Sequence, residues 1–116
     1  MVKAEFKFRL RVTRGDDIAM GPGKIALLEA IANAGSITNA AKALDMSYRR
    51  AWLLVDTMNR SFRAPVVAAG AGGPRGGGAT LTPLGREVVE RYRRIEATAA
   101  DAAADDICGI EALLRK

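Results

Sequence analysis

Histidine is absent from the 116 residues, and cysteine occurs once. Without imidazole the chain has no histidine to bind zinc, to complete a Ser-His-Asp triad or to shuttle a proton near neutrality. The lone Cys108 excludes an internal disulfide, and its apolar setting in DDICGIEALL leads us to expect a small buried side chain. Aromatic residues are scarce, at 5% of the chain. Long apolar runs are missing too: none nears the roughly 18 to 20 residues of a membrane span, and the alternating start MVKAEFKFRLRV lacks the apolar block of a signal peptide. A soluble, cytoplasmic protein with no membrane partner is expected. Acidic residues number 13 against 18 lysines and arginines, for a formal net charge of +5. This excess favours a polyanionic partner, so nucleic acid comes before catalysis. Asp101, Asp105 and Asp106 have no histidine or cysteine companion and read as a solvated acidic face. We therefore expect no enzyme, no cofactor and no metal site.

What is present reads as one small domain, without repeats. From Phe6 to Val12 apolar residues alternate with Lys7, Arg9 and Arg11, the period of a strand with one apolar and one basic face, and RGDD ends it. GPGKIALLEAIANAG then predicts a first helix, with Pro22 near its start, a stripe of Ile25, Leu28, Ile31 and Ala32, and Gly35 as its stop. Ser36 is suited to cap a second, short helix whose apolar side is Ile37, Ala40, Ala41 and Leu44. Ser47 caps a third, with Ala51, Leu54, Val55, Met58 and Phe62 recurring at helical spacing.

Between Pro65 and Pro83, VVAAGAGGPRGGGATLT contains two extended segments around a glycine-rich tract, which predicts a hairpin with Arg75 at its tip. A phosphate-binding loop is disfavoured there, because the GxxxxGK[ST] spacing is missing and no helix follows at once. After Pro83, Leu84, Val88, Tyr92, Ile95, Ala99 and Ala102 follow a four-and-three spacing. A helix from Leu84 to Ile107 would reach about 36 Å at 1.5 Å per residue, too long for so small a domain to cover. The alanine-rich ATAADAAADD is where it can bend.

Two helices joined by a tight turn, the second opening on basic residues and followed by a hairpin, describe a winged helix-turn-helix. The fold class expected is mainly α with a small β component: an N-terminal strand, a β-hairpin wing and a long C-terminal dimerisation helix. The winged domain spans residues 1–82, with the helix-turn-helix at 36–62 and the wing at 66–82, and residues 83–116 form its helical dimerisation segment. With Ala51 and Met58 turned inward, Arg49, Leu53, Asp56 and Arg60 point outward from the third helix, flanked by Arg50, Trp52 and Thr57. Arginine can bind guanine O6 and N7 bidentately, while Ser and Tyr hydroxyls and helix N-termini suit phosphates. The DNA-binding candidates are accordingly Ser36, Thr38, Ser47, Tyr48, Arg49, Arg50, Trp52, Arg60 and Arg75. Two roles stay open for Trp52, packing at the core edge or touching a base, and Tyr48 is equally divided between core anchor and contact.

GSITNAAKALDMSYRRAWLLVDTMN, GAGGPRGGGATLTPLG and the long helix behind them resemble the N-terminal winged-helix domain of ModE-type molybdate-responsive transcription regulators. The helix-turn-helix half alone is also similar to LysR-type regulators; MSYRRAW joined to the glycine-rich wing and LTPLG sharpens the likeness. The resemblance implies a homodimer that sets two recognition helices into successive major grooves of a partly palindromic operator. It places Ser47, Tyr48, Arg49, Arg50 and Trp52 at the start of the recognition helix and Arg75 in the wing. The apolar Val88, Tyr92, Ile95, Ala99, Ile110 and Leu113 are the expected dimer interface. Family members carry a C-terminal oxyanion-binding module for which these residues leave no room, so a transcription regulator linked to molybdenum but without its own molybdate sensor is expected, served by a separate ligand-sensing protein if any. A winged-helix module for a protein partner is the competing reading.

Overall fold

The computed structural model describes residues 4–70 and 78–115. Its first regular element is a small antiparallel ribbon, β1 (Val12–Arg14) paired with β2 (Asp17–Met20). Gly15, at φ +60°, takes the first place of the two-residue turn between them, where a side chain would be strained. Here the expected Phe6–Val12 strand is corrected. A strand needs a partner ladder, and the four-residue β2 reaches back only as far as Val12. Residues 4–11 therefore form no regular element, with Phe6 and Phe8 exposed. They are held instead by Tyr92, whose hydroxyl donates to the Leu10 carbonyl at 2.7 Å.

Helix α1 (Pro22–Ala34) starts on proline, which loses no intrahelical bond there, and stops at Gly35, whose φ of 75° closes the end through its N–H to the Ile31 carbonyl. It supplies the centre of the core: Ile25, Leu27, Leu28 and Ile31 are buried. Leu27 was not on the expected stripe, and Ala32, which was, is exposed. Helix α2 (Ile37–Ala43) and helix α3 (Tyr48–Ser61) meet through Ala40, Ala41 and Ala51, all sealed from solvent. Three methyl groups at the crossing let the backbones approach closely. Asp45 takes a left-handed turn at φ 55°, which lets the chain reverse between them.

Strands β3 (Val67–Ala69) and β4 (Ala79–Leu81) pair to form the base of the wing, and the expected tip residue Arg75 lies outside the described residues. The single C-terminal helix is corrected to two: α4 (Pro83–Ala102) and α5 (Ala104–Leu113), separated at Ala103. Alanine favours helix, so propensity does not make the break; Asp105 and Asp106 sit in the first turn of α5, where the helix dipole favours carboxylates and a new start is stabilised. Helix α4 is fastened to the domain by Arg93, which bridges Glu29 of α1 and Glu96, and by the buried ring of Tyr92. Cys108, expected to be buried, is exposed, because α5 buries no residue against the rest of the chain.

Candidate nucleic-acid interface

Helix α3 owes its aim to two caps and one clamp. The Ser36 hydroxyl oxygen accepts from Asn39 N at 3.0 Å and that of Ser47 from Arg50 N at 3.1 Å, fixing where α2 and α3 begin. Each hydroxyl keeps its proton free to donate outward. The clamp is Asn59, which the sequence reading missed. Its Oδ1 accepts from Val66 N at 2.8 Å and Val67 N at 3.2 Å, and its Nδ2 donates to the Val67 carbonyl at 3.2 Å. One amide thus holds the wing base against the recognition helix. No local signal marks it, since asparagine within a helix ordinarily points to water.

From the other side α4 grips the same residues. Thr82 donates its hydroxyl to the Pro65 carbonyl at 2.7 Å and its backbone N–H to the Val66 carbonyl at 3.0 Å, while its Oγ1 caps α4 at Gly85 N. Gly85 lies so close to Val66 that an added Cβ would stand 2.1 Å from the Val66 carbonyl oxygen.

Arg49 and Arg50 are exposed and have no ion-pair partner among the described residues. Arg60, also expected to contact DNA, pairs with Asp56 at 3.0 Å. Tyr48 and Trp52 keep 54% and 46% of their surface exposed, so neither is buried in the core. With Thr38, Asn59 and Ala68 they line a cleft of about 460 Å³ between α2, α3 and the wing. Two further cations join the site that the sequence reading left out. Lys24 is half-buried near the start of α1, and its ammonium pKa is pushed down by burial first and then by Arg50, with Arg11 adding to the push and Asp17 opposing it. By its spacing Arg11 belongs to a basic strand face, and nothing in that spacing ties it to Arg50.

The expected dimer residues divide. Tyr92 belongs to the domain's own core and is corrected on that ground: it is 4% exposed with its hydroxyl occupied. Val88 is half-buried against the same core. Ile95, Ile110 and Leu113 are exposed, and Ala99 is half-buried.

The model of the bacterial regulatory helix-turn-helix proteins of the lysR family matches residues 23–86, from α1 through the wing into α4. The chain belongs to that family. Within the LysR-type fold its sequence follows the ModE proteins. It is 42% identical over 96 residues to the molybdenum transport protein ModE of Azotobacter vinelandii, covering 83% of this chain and 36% of that protein. Identity is 48% over 81 residues to the molybdenum-pterin-binding protein MopB of Rhodobacter capsulatus, covering 70% and 30%. To the DNA-binding transcriptional dual regulator ModE of Escherichia coli K12 it is 38% over 88 residues, covering 73% and 34%. The chain spans about a third of the length of these curated relatives. Among solved structures, the CbnR DBD in its DNA complex superposes with a TM-score of 0.57 at 22% identity, covering 76% of this chain and 95% of that one, which establishes the winged-helix fold.

Proposed function

We propose that this LysR-type, ModE-like chain is a sequence-specific DNA-binding transcription regulator that acts on double-stranded DNA as a homodimer in the cytoplasm, in the service of molybdenum metabolism. The observation that carries the reading is the outward face of α3: Arg49 stands free of any acidic partner among the described residues, on a helix whose start is capped and whose far end is clamped to a wing. A helix held on both sides presents its side chains to a groove at fixed angles, which is what base readout requires. Ser36, Thr38 and Ser47 supply hydroxyls toward the phosphates, Arg49 reads a base edge, and the exposed rings of Tyr48 and Trp52 rest against sugar or thymine methyl. Arg60, already paired to Asp56, contributes less. The molybdenum link comes from the relatives' names.

The experiment is a salt titration of binding to duplex DNA. Affinity should fall steeply, with a slope of roughly −0.9 per phosphate contact in log–log form. Arg49→Ala should weaken a selected site by about 1 to 3 kcal/mol while leaving random duplex nearly unchanged. A flat salt response would remove the DNA reading in favour of a protein partner.

A further inference from the structure

The wing is one of two structures flanking the recognition helix. Around the axis of α3, at about 100° per residue, Asn59 and Arg50 lie on opposite sides, with Arg49, Leu53 and Arg60 projecting between them. Asn59 is bonded to the wing, so Arg50 faces the other way. Strand β2 packs on α3, and Lys24, near the start of α1, lies within reach of the Arg50 charge. The Arg11 side chain lies over Gly21, the residue that opens α1: its Cγ is 3.5 Å from where a Cβ would stand.

Three cations therefore gather on one flank of the recognition helix, and none of them has an ion-pair partner among the described residues. Among the described residues, Asp17 is the carboxylate whose field reaches Lys24, against two arginines. Where this fold uses a cation to join two helices, it sets a carboxylate against it, as Glu29 meets Arg93. The flank around Lys24 departs from that pattern, and its like charges repel one another. A helix in the major groove has a phosphate backbone on each side of it, so an anion on the flank away from the wing would relieve this repulsion.

We propose that Arg11, Lys24 and Arg50 form a second clamp for DNA backbone phosphates, on the side of α3 opposite the wing, leaving Arg49 as the arginine that reads bases. The inference rests on the DNA-binding reading above and specifies how the site divides its labour. Arg49 and Arg50, adjacent in sequence, point about 100° apart and so serve different parts of the duplex.

Lys24→Gln, Lys24→Arg and Arg11→Gln, each in the full chain, are compared with wild type on a random-sequence duplex and on a duplex selected by the chain itself, from about 50 to 200 mM KCl. Lys24→Gln and Arg11→Gln should each lose roughly three- to tenfold in affinity, equally on both duplexes, and flatten the salt slope by about 0.9. Lys24→Arg, which keeps the charge, should bind like wild type. Thermal melting of Lys24→Gln should match or exceed wild type, because a repelled charge has gone. Wild-type affinity and slope in both glutamine variants, beside a wild type that itself binds with a steep salt slope, would overturn the clamp and leave the DNA reading intact. Equal weakness of Lys24→Arg and Lys24→Gln would overturn it as well, by tracing the loss to packing rather than charge. A wild type with no salt dependence would overturn both readings together.

Discussion

Gly85→Ala sets two effects of opposite sign against each other. Gly85 lies in the first turn of α4 and has no unusual φ, so the replacement is allowed by its backbone. Helix propensity alone would stabilise the protein by about 1 kcal/mol. The structure predicts the reverse. The new Cβ would stand 2.1 Å from the Val66 carbonyl oxygen and 3.0 Å from its carbon, and both are backbone atoms that no rotamer can move aside. Carbon and oxygen settle at about 3.3 Å or more, so α4 and the wing base must part by roughly 1 Å. That movement stretches the bonds from Thr82 to the Pro65 and Val66 carbonyls, now 2.7 and 3.0 Å. Losing them costs about 1 kcal/mol each and the strained packing about 1 to 3 kcal/mol, against the gain of about 1 from propensity. A net loss of about 2 to 4 kcal/mol follows, which lowers the melting temperature by about 10 to 15 °C for a domain of this size. Urea unfolding and thermal melting followed by circular dichroism measure it. A variant as stable as wild type would refute the close contact and the joint built on it.

Asn59→Ala should cost about 2 to 3 kcal/mol in urea unfolding, because it leaves the N–H of the buried Val66 without its partner. Tyr92→Phe should cost about 1 kcal/mol through the lost bond to Leu10, and proteolysis should then cut residues 4–11 sooner. Burial, aided by Glu96 and opposed by Arg93, raises the Tyr92 pKa above its ordinary 10.0. The fold therefore favours the neutral phenol, whose contribution is complete below pH 10 and is lost as pH rises through the raised value; melting measured from pH 8 to 11 should fall more for wild type than for Tyr92→Phe. For the proposed homodimer, wild type should sediment as a dimer at micromolar concentration and Ile95→Asp plus Leu113→Asp as a monomer, since both positions are exposed on the chain alone. A monomeric wild type would end that proposal.

The helix-turn-helix was legible because its signals are local. Two serines in capping positions, alanines at helical spacing and a glycine stop each act within a few residues, and Ser36, Ser47 and Gly35 do what their types predict. The β1–β2 ribbon was not, because RGDD looks like an ending when the strands it joins are only three and four residues long. Periodicity also cannot say what covers an apolar stripe. Tyr92 and Ile95 share one stripe by spacing, yet one is buried in its own domain and the other is exposed. Cys108 misled for the same reason, its apolar neighbours on α5 being uncovered by this chain. In the site, the outward residues of α3 followed from helix geometry, whereas Lys24, Arg11 and Asn59 depend on contacts between elements distant in sequence.

At Pro65, Val66 and Val67 the recognition helix, the wing and α4 all meet. Asn59 reaches it from α3, Thr82 and Gly85 from α4, and β3 leaves from it toward the wing. Val66 has both its N–H and its carbonyl committed there and is sealed from solvent. A joint with no spare backbone group has no alternative pairing to slip into, so the angle between α3 and α4 is fixed by covalent geometry and a few short bonds. That fixed angle matters for the proposed dimer. Two half-sites on DNA recur at about 34 Å or its multiples, and a dimer can measure such a distance only if each recognition helix is rigid relative to the element that joins the copies. Helix α4, with 20 residues and so about 30 Å long, has the reach for that role. The glycine of LTPLG is thus explained by closeness rather than flexibility: its missing side chain is what lets α4 and the wing base share one carbonyl.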